Sequence, residues 1–239
     1  LKEKFRKNFS YQDKTRYGYW ERIEFKPEEW GQLKKHCDDL KIDFICSPFS
    51  NHAIDVLENI NTKVYKIASG EVSNRMLLDR IVSLNKKIII SSGLSTFDDL
   101  RETISHINKK NLSILQCTTE YPTSPQSIGI ENIITLKKLF KLPTGLSDHS
   151  GKIFPSLSAV TIGADIIEVH ATFDKRMFGP DTKSSLTIDE IAILVEGVRF
   201  IEKMTQNRVQ KNKISPKFQN LKKIFGRSMI VTKDLKKGH

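Results

Sequence analysis

At 239 residues the chain is long enough for one large domain, and with 38% apolar and 28% charged residues it lies outside the composition of a disordered chain. Its formal charge of +11 suggests a nucleic-acid footprint until it is divided, because Lys203 to His239 hold eleven Lys or Arg against one acid, Asp234, and leave the body nearly neutral. With only Phe218 and Phe225 that tail lacks the interleaved aromatics of a single-strand binder and is expected to be solvated linker rather than a nucleic-acid patch; no apolar run approaches the about 18 residues of a membrane span, and the first residues resemble no secretory signal.

In chain order, short β-rich runs alternate with amphipathic stretches from residue 26 onward. The pattern predicts a helix over 27–40, with Pro27 where a missing N–H costs nothing, then a strand over 43–46 and a helix over 51–59. A strand over 64–67, a helix over 74–84, a strand over 87–90 and a helix over 97–109, capped by Thr96, follow. Next come a strand over 112–116, a helix over 129–140, a strand over 144–146, a helix over 153–163 and a strand over 165–169. The long helix over 188–204 opens on the capping box Thr187-Ile188-Asp189-Glu190 and places Ile191, Leu194, Val195, Val198 and Ile201 on one face, with Arg199 and Lys203 in solvent. Beyond Pro216 the rhythm stops, and Arg227 to Val231 with Asp234 to Gly238 are expected to open another small domain. The division expected is 1–206 as a partial barrel domain, 207–225 as linker and 226–239 as the beginning of the second domain.

About six βα units fit either an open doubly wound sheet or most of an eight-stranded barrel, and periodicity does not choose between them. No Gly-x-Gly-x-x-Gly follows the first strand and no phosphate-loop motif is present, which removes the main support for nucleotide binding. Cys37, Cys46 and Cys117 form neither a pairable set nor metal-ligand spacing, as suits a reducing cytoplasm.

In parallel βα folds the chemistry gathers where strands end, and here the strand ends are polar. Ser47 follows the first strand, Ser69 and Glu71 the second, Ser91 and Ser92 the third, Thr118, Thr119 and Tyr121 the fourth, Ser147, Asp148 and His149 the fifth, and His170 the sixth. Lys66 lies inside the strand Val64-Tyr65-Lys66-Ile67, where a buried ammonium needs an anion: a substrate phosphate or carboxylate on one reading, a structural carboxylate pair on the other. His149 and His170 end successive strands, so they are either two imidazole ligands for a divalent metal or two hydrogen-bonded structural residues. Glu71 after Gly70, and Glu168 two residues before His170 on the same strand face, are each either a working carboxylate or an ordinary ion pair.

Taken together, Cys46-Ser47-Pro48-Phe49-Ser50, Lys66-Ile67-Ala68-Ser69-Gly70-Glu71, Ser91-Ser92-Gly93, Gln116-Cys117-Thr118-Thr119-Glu120-Tyr121-Pro122-Thr123, Gly145-Leu146-Ser147-Asp148-His149, Glu168-Val169-His170 and Gly179-Pro180-Asp181 resemble the sialic acid (N-acetylneuraminate) synthase family, with its legionaminic and pseudaminic acid relatives. The resemblance implies an α/β chain of the TIM (β/α)8-barrel type with a C-terminal antifreeze-like (SAF) domain, working in the cytoplasm as a homodimer. It implies condensation of phosphoenolpyruvate with an N-acylated amino sugar to a nine-carbon 3-deoxy-2-keto acid, with phosphate released by C–O cleavage. It places a divalent metal, manganese first and magnesium or cobalt as alternatives, on His149 and His170. Phosphoenolpyruvate is implied at Lys66, Ser47, Ser69, Ser91 and Ser147 with Thr119 adjoining, the amino sugar at Tyr121 and Asp181, the aldehyde and attacking water near Glu71, and support of the metal side at Glu168. The family's first two strands have no counterpart before Leu1 and the antifreeze-like part stops after its first segment, so an inactive fragment or interaction module, and a basic-tail nucleic-acid binder, stand as alternatives.

Overall fold

The structure, a computed structural model, describes residues 10–207 and 209–238, in two units, Leu1–Glu202 and Lys203–His239. The first unit opens with α1 (Arg16–Ile23), absent from the sequence pattern, whose N-cap Thr15 accepts the Gly18 N–H at 3.1 Å. There follow α2 (Pro27–Asp39), β1 (Ile45–Cys46), α3 (Asn51–Asn59), β2 (Val64–Ile67), α4 (Arg75–Ser83), β3 (Lys87–Ser91) and α5 (Phe97–Ser105). Then come β4 (Leu112–Cys117), α6 (Asn132–Phe140), β5 (Thr144–Asp148), α7 (Phe154–Thr161), β6 (Ile167–Thr172), β7 (Ser185–Thr187) and α8 (Ile188–Gln206).

Among the described residues seven strands form where six were expected. All pair in parallel in the order β1-β2-β3-β4-β5-β6-β7. That monotonic order separates the two folds left open by the sequence, since a doubly wound sheet reverses direction at a switch point and a barrel does not. Curvature gives the same answer. Lys66 on β2 and Glu168 on β6 touch at 2.9 Å, although four strand spacings in a flat sheet put them about 19 Å apart. The sheet is therefore rolled into a (β/α) barrel wall, with no strand joining β1 to β7 among the described residues.

Side-chain alternation gives the wall two faces. Tyr65, Ile67, Ile88, Ile90, Leu112 and Ile114 point outward and form one buried cluster with Ile54, Leu57, Leu77, Leu78, Ile81, Leu100, Ile104 and Leu136 from the helices. Each such side chain contributes about 1.5–3 kcal/mol on burial. At Gly145 an added Cβ would collide with the carbonyl oxygen of Ile166, so the close approach of β5 to the chain before β6 requires glycine.

Several boundaries differ from the pattern for local reasons. Gly129 at φ +63° keeps α6 from starting before Asn132, and α5 gives way to a 3-10 turn at Lys109–Asn111 capped by Asn108. On α8, Leu194 is buried but Val195 is 52% exposed, against expectation: one residue further round the helix it leaves the apolar stripe. In the second unit α9 (Pro216–Phe225) occupies part of the expected linker, with Phe218, Leu221, Ile224 and Phe225 exposed. Residues 227–231, read as the opening segment of a further domain, form no strand; among the described residues no neighbour supplies the ladder a strand needs.

Candidate active site

The inner face of the barrel wall is read directly from strand register. Lys66 is level with Ile89; two residues on, Ser91 is level with Leu115. Two further on, Cys117 is level with Ser147 and Ser147 with Glu168, and His170 follows Glu168 by two. Lys66, Ser91, Cys117, Ser147, Glu168 and His170 therefore share one face, and His149 continues the row beyond Ser147.

Lys66 has found its anion. Its ammonium, on a side chain only 12% exposed, donates to Glu168 Oε1 at 2.9 Å, and Ser147 Oγ donates to the same oxygen at 2.6 Å. The carboxylate pair weighed for Lys66 is thus present, and its partner is the Glu168 that the sequence placed beside His170.

His149 is buried, at 4% exposure, and its Nδ1 lies 2.9 Å from the Thr118 carbonyl. A carbonyl only accepts, so Nδ1 carries the proton and the lone pair lies on Nε2. Burial lowers the His149 pKa, with the nearby His170 adding to that effect and the Thr118 bond opposing it, which favours neutral imidazole. Tyr121 stacks on His149 at 4.1 Å between centroids, and its hydroxyl lies 3.3 Å from Nε2. The phenol is pushed up to about 12, by burial first and then by the nearby Cys117, Asp181 and Glu168, and so remains a donor. His170 meets His149 edge to face at 5.1 Å, and its Nδ1 lies 3.7 Å from Asp181 Oδ2.

In chemical kind these donors suit a divalent transition metal: two adjacent imidazoles, one with its tautomer fixed by a carbonyl so that Nε2 is available. Among the described residues no group of three His, Cys, Asp or Glu converges.

A second cluster lies across the same mouth. Gly93 N–H donates to Ser69 Oγ at 3.1 Å, and Ser69 Oγ lies 3.7 Å from Cys117 Sγ. A Cβ at Gly93 would run into Thr119 Oγ1 and come within 2.7 Å of Ser69 Oγ and 3.0 Å of Cys117 Sγ. Ser91, 2% exposed, has no hydrogen-bond partner for its Oγ.

Some expected residues stand apart. Glu71, in a short 3-10 turn, accepts from Asn74 Nδ2 at 2.7 Å. Ser47 is half-buried just past Cys46, whose register partner is Tyr65, and so is level with Lys66. Asp148 is turned to the other face by alternation and accepts from the N–H and hydroxyl of Ser150. Gly93, Cys117 and the Thr118 carbonyl were not singled out from the sequence. Strand alternation from Ser147 back across the register would have found Cys117; nothing in the sequence marks a carbonyl.

The chain as a whole is similar to known proteins. A family model described as the NeuB family matches residues 1–210. An N,N'-diacetyllegionaminic acid synthase of Campylobacter jejuni is 35% identical over 231 residues, covering 95% of this chain and 69% of the relative. A pseudaminic acid synthase of Helicobacter pylori is 32% identical over 217 residues, covering 89% and 63%. The solved N-acetylneuraminic acid synthetase of Leptospira borgpetersenii, in complex with citrate, superposes with a TM-score of 0.75 at 30% identity, covering 84% of this chain and 70% of that one.

Proposed function

The chain belongs to the NeuB family, and from that premise we propose that its strand tips condense phosphoenolpyruvate with an N-acylated amino sugar, N-acetylmannosamine or a diacetamido relative. The observation that carries the reading is the convergence of Lys66, Ser147, Glu168, His149, Tyr121 and His170 on one inner face. Relatives named for legionaminic and pseudaminic acid synthesis support the class of reaction and leave the particular sugar open.

In this reading C3 of phosphoenolpyruvate attacks the sugar aldehyde, water adds at C2, and the C–O bond to phosphate breaks to leave the keto acid. A divalent metal held by His149 and His170, Mn2+ first and Mg2+ or Co2+ as alternatives, supplies the Lewis acidity that polarises the aldehyde. Lys66, Ser47 and Ser147 hold the carboxylate end of phosphoenolpyruvate. Ser69, Ser91 and Thr119 form a small hydroxyl niche for its phosphate, where Ser91 brings a buried hydroxyl that no protein group uses. Tyr121 and Asp181 line the sugar side, next to the imidazoles. Glu168 orients Lys66 and Ser147 beside the metal end, and Glu71, which must first release Asn74 to reach the substrate, is the carboxylate assigned to the proton of the attacking water. The segment 226–239 is read as the start of an antifreeze-like domain, the working protein as a cytoplasmic homodimer; among the described residues no helix is long and apolar enough to cross a membrane.

A second reading, a binding module without turnover, draws on the outer edges of β1 and β7, which have no strand partner among the described residues. Phosphate release with phosphoenolpyruvate, N-acetylmannosamine or its diacetamido relatives, and Mn2+ separates the two, run on this chain and on a version carrying a relative's first two strands. Metal-dependent phosphate release in either supports the synthase; none in either, with phosphoenolpyruvate still bound, selects the binding module.

A further inference from the structure

Cys117 has no part in the reaction above, yet it stands where the two halves of the site meet. It ends β4 level with Ser147 and is 7% exposed. On one side is Ser69, whose oxygen accepts the Gly93 N–H at 3.1 Å and whose proton points at the sulfur across 3.7 Å. On the other side is Ser147, whose own proton is committed to Glu168 at 2.6 Å. Burial, above all, raises the thiol's pKa, so it stays protonated and is no nucleophile.

A thiol sulfur is a weak acceptor. The Ser69 proton is thus held loosely while its oxygen is held firmly by the Gly93 amide. A hydroxyl at 117 starts from a shorter bond than the sulfur, so Ser69 must lean toward it to bond; once bonded, its proton is held more strongly and its oxygen is drawn from the niche, and a group arriving there would have to compete for it.

We propose that Cys117 is a positioning residue that keeps the Ser69 hydroxyl ordered but uncommitted, so that an incoming phosphate takes its proton at little cost. The inference rests on the site reading given above, with the phosphate at Ser69, Ser91 and Thr119.

The test is calorimetric titration of the chain and its Cys117→Ser and Cys117→Ala variants with phosphoenolpyruvate, and with pyruvate, which lacks the phosphate. Cys117→Ser is expected to bind phosphoenolpyruvate about three- to tenfold more weakly, and Cys117→Ala as tightly as the parent or more so. Pyruvate affinity stays level across all three. A purely structural thiol gives the opposite order, with the near-isosteric serine close to the parent and the cavity-forming alanine worse, and that order overturns the inference. If thermal melting shows Cys117→Ser unfolded, alanine decides alone: weaker binding than the parent overturns the proposal. Absence of phosphoenolpyruvate binding by the parent chain defeats the site reading itself and this inference with it.

Discussion

A methyl group at position 93 would press on Thr119 Oγ1 and Ser69 Oγ together, the two hydroxyls assigned to phosphate. Gly93→Ala is therefore expected to weaken phosphoenolpyruvate binding by roughly tenfold or more in calorimetry. Its melting temperature should move little, because the displaced atoms are ends of small side chains at the mouth of the sheet. Away from the site, Glu58 accepts from the buried Tyr65 hydroxyl and from Lys86. Burial pushes its carboxyl up, but these two partners outweigh burial and the net shift is downward. A carboxyl depressed in the folded state adds stability above its unfolded pKa, about 4.3, and loses it as pH falls through the folded value. Glu58→Gln should thus cost on the order of 1–2 kcal/mol in urea denaturation at pH 7, with the gap closing on acidification below about pH 4; a gap independent of pH would remove this explanation. Lys66 shows what single residues reveal in sequence. Its need for an anion follows from its place between Tyr65 and Ile67, but its partner Glu168 lies 102 positions away and is set only by the curl of four intervening strand spacings.

Helix starts were legible because their signals are local. Thr96 and Asp99 form a reciprocal capping box at α5, with the Thr96 hydroxyl accepting the Asp99 N–H at 3.2 Å and the Asp99 carboxylate accepting the Thr96 N–H at 2.8 Å. Thr96→Ala should lower stability by about 1 kcal/mol, read from the urea midpoint. Elements too short or too charged for periodicity were not legible. β7 has three residues, less than two strand periods, and α9 places Phe218, Leu221 and Phe225 on one side but carries three lysines in ten residues. One start was not legible: the positive φ of Gly129, which delays α6 to Asn132, is a property of the folded turn and not of the hydrophobic pattern.

For the whole molecule, an alternation of strands and helices names a parallel α/β wall but not its closure. What distinguishes barrel from open sheet here is strand order and the contact from β2 to β6, both long-range facts. The polar strand tips Ser47, Ser69, Ser91, Ser147, His149 and His170 were legible because parallel folds put them at one end; which of them touch was not. The proposed condensation needs His149 and His170 to act as one metal-binding pair on that shared face. Titration of the chain with Mn2+, followed by loss of the free-ion electron paramagnetic resonance signal, tests this most directly. One tight equivalent in the parent, abolished by either His149→Ala or His170→Ala with the fold intact by circular dichroism, is the result expected; uptake unchanged in both variants contradicts the account.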